Sequence, residues 1–309
     1  ILSRHRGRFF KPCPAGQTRG NVRNACCNYF IVNFASNCHM ECSYCYLQTY
    51  LTFPHMVIYA NIEDLFSELK DAISTRPSEL LRIGTGELAD SLALDPLTGY
   101  AALLVDFFSE FDRAFLELKT KSDCVDGILG LNHRGRTVVS WSISPPFVQR
   151  SNEHKTASIE ARLDAAERCV HAGYPVAFHM DPLIHYESWR TDYATLIDGI
   201  YARIPAASIA WISLGSLRMT ASQQEHMRRR FPGSFLPRGE LVACEDGKLR
   251  YFHPIRVSMF RYVIERIREV DPRASIYTCM ESSNTWRKVF GEPPPSEKEL
   301  GDSLVQMIL

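Results

Sequence analysis

Three cysteines near the N-terminus have a spacing that is typical of a metal site. Cys38, Cys42 and Cys45 are separated by three and two residues, so one loop can bring three thiolates to one centre. Thiolates are the ligands of iron–sulfur clusters and also bind zinc. A zinc site would need a fourth ligand, and His39 is badly placed to join its neighbour Cys38. Three ligands on a four-iron cluster leave one iron open to a small molecule, whereas the alternative is three buried free thiols.

Further polar side chains lie at or just after the ends of predicted strands. One such residue would be an ordinary loop residue, but four consecutive strand ends carry them, and with the cysteine loop after the first strand the number is five. Because parallel strands end at the same edge of a sheet, these side chains are expected to share one site with the cysteines. They are Glu87, Asp90, Lys119, Lys121, Ser142, Ser144, His179 and Asp181.

The elements that must position these residues alternate between strand-like and helix-like patterns. The β-branched and aromatic run at 29–34 predicts a first strand, and helical spacing of apolar residues predicts a helix at 62–74. About six such units predict a parallel sheet with right-handed crossovers, either a partial barrel or a doubly wound sheet. The other predicted strands are 80–84, 114–121, 137–142, 176–180 and 208–214, and the other helices are 100–111, 158–172 and 192–203.

The pattern changes after about residue 218. A polar helix at 222–231 contains three consecutive arginines, and Glu245-Asp246-Gly247 predicts a hairpin between 241 and 252. A helix at 255–270, a strand at 275–279 and a helix at 284–290 follow. We therefore divide the chain into an N-terminal segment (1–27), a barrel (28–217) and an α+β extension packed on the barrel (218–309).

Composition excludes several classes of protein. The chain has 309 residues with 35 basic and 35 acidic side chains, so its formal net charge is zero and any nucleic-acid role needs a local basic face. Mean hydropathy is −0.16, and no apolar run approaches the ~18 residues of a membrane span. The basic N-terminal stretch lacks the apolar core of a secretory signal. Ten cysteines in a chain of this size favour reduced thiols and a cytoplasmic protein.

The cysteine loop and several later motifs resemble one family. The stretch at 36–48 is similar to the cluster loop of the radical SAM superfamily, in particular of the spore photoproduct lyase-like family. The resemblance runs from about residue 28 to 270 and implies a partial (β/α)6 barrel of the TIM type. It also implies a 4Fe–4S cluster on Cys38, Cys42 and Cys45 whose open iron binds S-adenosylmethionine. The later motifs are Thr120-Lys121-Ser122, Asn132-His133 with Gly135, Trp141-Ser142-Ile143-Ser144 and Ala172-Gly173-Tyr174-Pro175.

The resemblance also implies roles for individual residues. Tyr44 is expected against the adenine, and Gly86 and Glu87 belong to a strand edge that meets the methionine amino group. Asp90 and Lys121 are expected at the amino and carboxylate ends of the methionine. The resemblance further implies that Ser142 lies close to the cofactor and that Tyr46 takes part in a radical relay.

The implied reaction is cleavage of S-adenosylmethionine to a 5′-deoxyadenosyl radical that splits a thymine dimer in damaged DNA. The family has a hydrogen-donating cysteine after the second strand, but residues 87–91 contain none. Cys279 and Tyr46 are the main candidate substitutes, and Cys124 is another. The alternatives are a radical SAM enzyme of the same family with a non-DNA substrate, or a non-catalytic iron–sulfur or zinc protein.

Two kinds of partner are expected, and a membrane is not one of them. A reducing electron donor such as flavodoxin or ferredoxin would supply electrons to the cluster. For DNA, the hairpin carries Lys248, Arg250 and Tyr251, a basic and aromatic combination that suits phosphate contact and base stacking. The acidic residues Glu245 and Asp246 weaken that interpretation.

Overall fold

The structure is a computed structural model that describes residues 1–14 and 24–309. Its strands are β1 (Leu2–Ser3), β2 (Phe10–Pro12), β3 (Tyr29–Val32), β4 (Ala35–Ser36), β5 (Val57–Tyr59), β6 (Leu81–Gly84), β7 (Ala114–Thr120), β8 (Thr137–Ser142), β9 (Val176–Leu183), β10 (Ile209–Ser216), β11 (Arg218–Met219), β12 (Val242–Ala243), β13 (Leu249–Arg250) and β14 (Ile276–Thr278). Its α-helices are α1 (Leu47–Tyr50), α2 (Ile62–Ser74), α3 (Asp95–Thr98), α4 (Tyr100–Ser109), α5 (Pro146–Asn152), α6 (Ile159–His171), α7 (Trp189–Arg203), α8 (Ala221–Arg230), α9 (His253–Val270), α10 (Ser283–Phe290) and α11 (Glu297–Gln306).

The main sheet has eight strands in the order β14-β10-β9-β8-β7-β6-β3-β2. From β3 to β14 the neighbours are parallel, and each strand pairs with the one before it in this series. Because every crossover adds a strand on the same side, the sheet is singly wound and curls into a partial barrel. This order excludes the doubly wound alternative and confirms the predicted partial (β/α)6 barrel. At the edge, β2 pairs antiparallel with β3.

Helices α2, α4, α6 and α7 form where the sequence predicts them. In α2 the buried residues are Ile62, Leu65, Leu69 and Ile73, a stripe along one face. In α6 the Ser158 side chain accepts a hydrogen bond from the Ala161 backbone N–H and so caps the first turn. No described helix is long and apolar enough to cross a lipid bilayer.

The last part of the chain contributes to the barrel itself. Strand β14 extends the parallel sheet beside β10, and α11 packs against the lumen near the starts of the strands. Leu300 and Leu304 of α11 form one apolar cluster with Val138 and Trp211. At Gly301 an added Cβ would lie 3.0 Å from a backbone oxygen, so only glycine allows this close approach. The boundaries at 27/28 and 217/218 stay predictions.

The predicted hairpin is present, but two of the side chains expected at its surface, Arg250 and Tyr251, are buried. Strands β12 and β13 pair antiparallel. Arg250 is buried and paired with Asp246 at 2.6 Å, and Tyr251 is also buried, with its hydroxyl accepting from the His185 backbone N–H. These two residues are structural, so the interpretation of Arg250 and Tyr251 as DNA contacts was wrong. The aromatic side chain that the segment does expose is Phe252, which is 57% exposed.

Candidate functional site

The cysteine loop connects β4 to α1 and begins with a sharp turn. Asn37 has a φ of 72°, a left-handed conformation that asparagine adopts more readily than most residues. Its Oδ1 accepts a hydrogen bond of 2.8 Å from the Cys38 backbone N–H. The Cys45 N–H then donates to the Cys42 carbonyl at 3.1 Å. These bonds fold the three cysteines into one compact loop.

The three thiols are close enough to influence one another. Burial raises the pKa of Cys42 well above its usual range, and Cys45 and Cys38 both add to this effect. Burial also raises the pKa of Cys38 to about 12, with a further contribution from the Asp90 carboxylate. In residues 1–14 and 24–309 no three His, Cys, Asp or Glu side chains already surround one point. The fit to a cluster therefore rests on the donor set and the loop, not on preformed ligand positions.

A buried glutamate that the sequence analysis missed organises the site. Glu153 follows α5 and is fully buried; its Oε1 accepts from the Tyr44 hydroxyl and from Lys121 Nζ at 3.0 Å. Its Oε2 accepts from the Arg162 guanidinium at 2.6 Å, and Ser144 Oγ donates to Oε1 at 3.3 Å. Burial alone would raise the pKa of Glu153, but Lys121 and Arg162 outweigh burial and lower it to about 2. Glu153 is thus an ionised anchor.

The backbone around Glu153 holds the cysteine loop directly. Cys42 and Glu153 form an antiparallel bridge. The Ser43 N–H donates to the Asn152 carbonyl at 2.7 Å, and the two side chains bond at 2.9 Å. Tyr44 and Glu153 are 109 residues apart in sequence, which is why no local motif could reveal their contact. As a result, the loop is tied to the ends of β7 and β8.

Asp90 and Lys121 lie together, as predicted. Asp90 Oδ2 accepts from the Lys121 backbone N–H at 2.8 Å, and Oδ1 accepts from Thr120 Oγ1 at 2.6 Å and from two N–H groups of its own turn. Lys121 Nζ also donates to the Tyr44 hydroxyl at 3.0 Å. A carboxylate and an ammonium group therefore lie beside the cysteine loop.

Glu87 begins the stretch 87–91, which lacks the hydrogen-donating cysteine that the resemblance implies. Its carboxylate pairs with Lys11 at 2.8 Å and accepts from Asn33 Nδ2 at 2.9 Å. Its backbone carbonyl accepts from the Tyr46 hydroxyl at 2.7 Å. Tyr46, which is 43% exposed, is consequently held beside the backbone of Glu87. The carboxylate of Glu87 points to Lys11 of the N-terminal segment instead.

Gly86 and Ser142 complete the predicted cofactor residues. A Cβ on Gly86 would lie 3.0 Å from Lys119 Cβ and 3.2 Å from the Lys119 carbonyl, so glycine permits the close approach of β6 and β7. Ser142 is buried. Its carbonyl accepts from Arg162 at 2.8 Å, whereas its hydroxyl has no hydrogen-bond partner among the described residues. That hydroxyl is available to a bound molecule.

Below the site, the lumen contains a second buried ion pair that the sequence analysis also missed. Glu117 accepts from Arg82 at 2.9 Å and from His179 Nε2 at 2.6 Å. The Arg82 guanidinium lies 4.1 Å from the ring centroid of Trp211 and 4.8 Å from that of Tyr29. Although burial opposes it, Arg82 holds the pKa of Glu117 well below its usual range. The lumen thus contains a buried, hydrogen-bonded group of polar side chains.

Cys279 lies at the carboxyl end of β14, on another side of the barrel mouth. Its backbone N–H donates to the Leu214 carbonyl at 2.7 Å. Burial raises the pKa of its thiol to about 12, and the Asp181 carboxylate adds to the rise. Asp181 itself pairs with Arg218 at 2.9 Å. The thiol therefore stays protonated at neutral pH and retains its S–H bond.

Comparisons with known proteins point to one family. The family model described as spore photoproduct lyase matches residues 23–271. A curated spore photoproduct lyase of Geobacillus sp. is 27% identical over 206 residues, which are 66% of this chain and 60% of that protein. One from Bacillus subtilis is 29% identical over 177 residues, 57% of this chain and 52% of that protein. The matched part of the chain thus spans between half and two thirds of these relatives.

Solved structures show the same fold. A spore photoproduct lyase complexed with dinucleoside spore photoproduct superposes with a TM-score of 0.79 at 24% identity and covers 90% of this chain and 81% of that one. A variant with bound AdoMet and the same dinucleoside gives 0.78 at 23% identity with the same coverage. Streptococcus suis SuiB bound to S-adenosylmethionine gives 0.54 at 12% identity, covering 86% of this chain and 53% of that one. From the family match and this architecture, the chain belongs to the spore photoproduct lyase family of the radical SAM superfamily.

Proposed function

We propose that this chain is a radical SAM lyase that acts on a thymine photoproduct in DNA. The observation that carries the proposal is the three-cysteine loop, which Glu153 holds against Lys121 at the mouth of a barrel with the lyase fold. Relatives named spore photoproduct lyase, and a neighbouring structure with AdoMet and the dinucleoside photoproduct, support this choice of cofactor and substrate. We place the enzyme in the cytoplasm, where thiols stay reduced.

The donor set suits a 4Fe–4S cluster on Cys38, Cys42 and Cys45. Thiolates are the usual ligands of such clusters, and no cysteine within residues 1–14 and 24–309 is in a disulfide. Although burial raises the pKa of Cys42 and of Cys45, the Lys121 ammonium lowers both, which favours the thiolate form that binds metal. When bound, the cluster and S-adenosylmethionine together supply a 5′-deoxyadenosyl radical.

The residues beside the loop suit the charged end of S-adenosylmethionine. Lys121 Nζ uses two of its three N–H donors on Tyr44 and Glu153, so one remains for a carboxylate. Asp90 Oδ2 has one protein donor and can accept from an ammonium group. We assign the strand edge at Gly86 and Glu87, together with Ser142, to the same end. Tyr44 is the proposed contact of the adenine.

We expect Lys121→Ala to raise the dissociation constant for S-adenosylmethionine about tenfold or more, because a charge-assisted hydrogen bond contributes ~1.5–3 kcal/mol. Equilibrium binding to the anaerobically reconstituted protein measures this. Lys155→Ala is the control, since Lys155 is 57% exposed and pairs with Glu41 at 3.1 Å, outside the proposed methionine site. An unchanged constant at equal iron content would move the methionine site away from Lys121.

The return of a hydrogen atom to the substrate is assigned to Tyr46 or Cys279. After the dimer is split, the thymine radical needs one hydrogen atom, and a thiol S–H or a phenol O–H supplies it and becomes the protein radical. The Tyr46 hydroxyl donates to the carbonyl of Glu87, at the start of the stretch 87–91 that lacks the cysteine implied by the resemblance. Cys279 keeps its proton at neutral pH. The carboxylate and aliphatic side chains of residues 87–89 are poor donors.

Incubating the reduced protein with a dinucleotide spore photoproduct tests both the substrate and the donor. We expect repair by the wild type, and slower repair with side products of the thymine radical in Tyr46→Phe or Cys279→Ala. Product analysis by mass spectrometry measures this. Clean, rapid repair in the double variant would overturn the donor assignment. No repair by the wild type, alongside normal S-adenosylmethionine cleavage, would instead favour a non-DNA substrate.

A further inference from the structure

An exposed cationic surface lies on α8 and next to it. We call it the arginine face and define it by Arg228, Arg229, Arg230, Arg238 and Lys155. Arg229 is 73% exposed, Lys155 57% and Arg230 44%, and the other two residues are also exposed. The whole chain has no net charge, so this surface is locally positive relative to the chain as a whole.

The arginine face is joined to the cysteine loop by a short hydrogen-bonded path. Arg230 donates to Gln48 Oε1 at 3.1 Å, and Gln48 Nε2 donates to the Cys42 carbonyl at 2.5 Å. On the same helix, Gln223 Nε2 donates to the Tyr44 carbonyl at 2.8 Å. One side chain therefore separates a surface arginine from a cysteine of the loop, and α8 contacts the loop that carries the proposed cluster ligands.

We propose that the arginine face is the docking site of an acidic one-electron carrier protein that reduces the cluster. The inference rests on the proposed function, because only a redox cluster needs such a partner. The charge of the face selects an anionic partner, since complementary charges steer encounter and fix orientation. Redox complexes are typically small and weak, so a few exposed arginines suffice. One electron passes from the reduced carrier to the oxidised cluster, and no bond or proton changes place.

Two carboxylates within the face favour a protein over DNA as the partner. Glu41 pairs with Lys155 at 3.1 Å and with Arg230 at 3.4 Å, and Glu225 lies 3.7 Å from Arg229. A DNA backbone presents phosphates without counterbalancing cations and is repelled by both carboxylates. A protein surface with mixed charges can pair with the arginines and also accommodate Glu41 and Glu225. DNA binding at this face is the competing outcome of the test.

The test compares Arg228→Glu/Arg229→Glu with a matched control, Arg268→Glu/Arg273→Glu, whose residues are exposed elsewhere on the chain. The probe is an acidic flavodoxin, and its affinity for each reconstituted protein is measured by calorimetry at low ionic strength. We expect the dissociation constant to rise about tenfold or more in the first variant only, and the difference to shrink in high salt because exposed charges are screened. Cleavage of S-adenosylmethionine with reduced flavodoxin should slow in parallel, whereas cleavage with dithionite should not change.

Equal flavodoxin affinity in both double variants would overturn the proposal, as would a loss of DNA affinity without any loss of flavodoxin affinity. If the first variant does not fold, Lys155→Glu/Arg238→Glu probes the same face with the same expected outcomes. Failure of the proposed function would look different, because the wild type would then not cleave S-adenosylmethionine with dithionite, while flavodoxin binding would still report on the docking site.

Discussion

A variant with Cys38, Cys42 and Cys45 replaced by alanine is expected to retain almost no iron or sulfide after anaerobic reconstitution. The wild type should carry about four irons per chain, the stoichiometry of the cube. The loss should be complete because these thiols are the proposed protein ligands and lie on a single loop. Iron and sulfide analysis, together with the visible absorption of the cluster, measures the effect.

The control for this experiment is a triple variant at cysteines outside the loop. Cys26, Cys124 and Cys244 are half-buried free thiols, so their replacement by serine removes the same number of thiols without touching the loop. We expect this protein to load iron as the wild type does. Equal iron and sulfide in both triple variants would refute the assignment of the ligands.

Replacing Glu153 by alanine is expected to destabilise the folded protein by about 3–5 kcal/mol, the range for breaking a buried ion pair on one side. The substitution leaves the fully buried Arg162 without its carboxylate and removes one acceptor of Lys121. Urea unfolding of the metal-free protein measures the free energy of unfolding. The same variant should also load less iron, because the cysteine loop loses its anchor.

The control for Glu153 is an exposed carboxylate that is close to it in the sequence. Glu160 is 77% exposed and pairs with Arg203 at 2.8 Å, so Glu160→Ala should cost no more than ~1 kcal/mol. If the two substitutions destabilised the protein equally, Glu153 would not have the organising role that its contacts indicate.

The features that sequence predicted are those encoded locally. The stripe of Leu65 and Leu69 has a helical period, and α2 spans the predicted residues 62–74. Strand β8 also has its predicted bounds of 137–142, because a run of β-branched residues between turns is a local signal. The cysteine loop was recognisable since its three cysteines lie within eight residues.

The features that sequence analysis missed depend on contacts between distant residues. Arg82 and Glu117 are 35 residues apart, and His179 is 62 residues from Glu117. A charged residue is usually exposed, so nothing near Glu117 or Glu153 in the sequence reveals that it is buried and paired. For the same reason, the sequence did not reveal that Arg250 of the hairpin is buried, and Arg250 is a structural residue instead of the expected DNA contact.

The measurement that tests the central claim most directly is the cleavage of S-adenosylmethionine by the reconstituted protein. The protein is reduced anaerobically with dithionite, incubated with S-adenosylmethionine, and analysed by chromatography for 5′-deoxyadenosine. The proposed function predicts that 5′-deoxyadenosine forms with the wild type and not with the variant that lacks Cys38, Cys42 and Cys45. A reduced wild-type protein that carries about four irons per chain and binds S-adenosylmethionine, yet forms no 5′-deoxyadenosine, would contradict it.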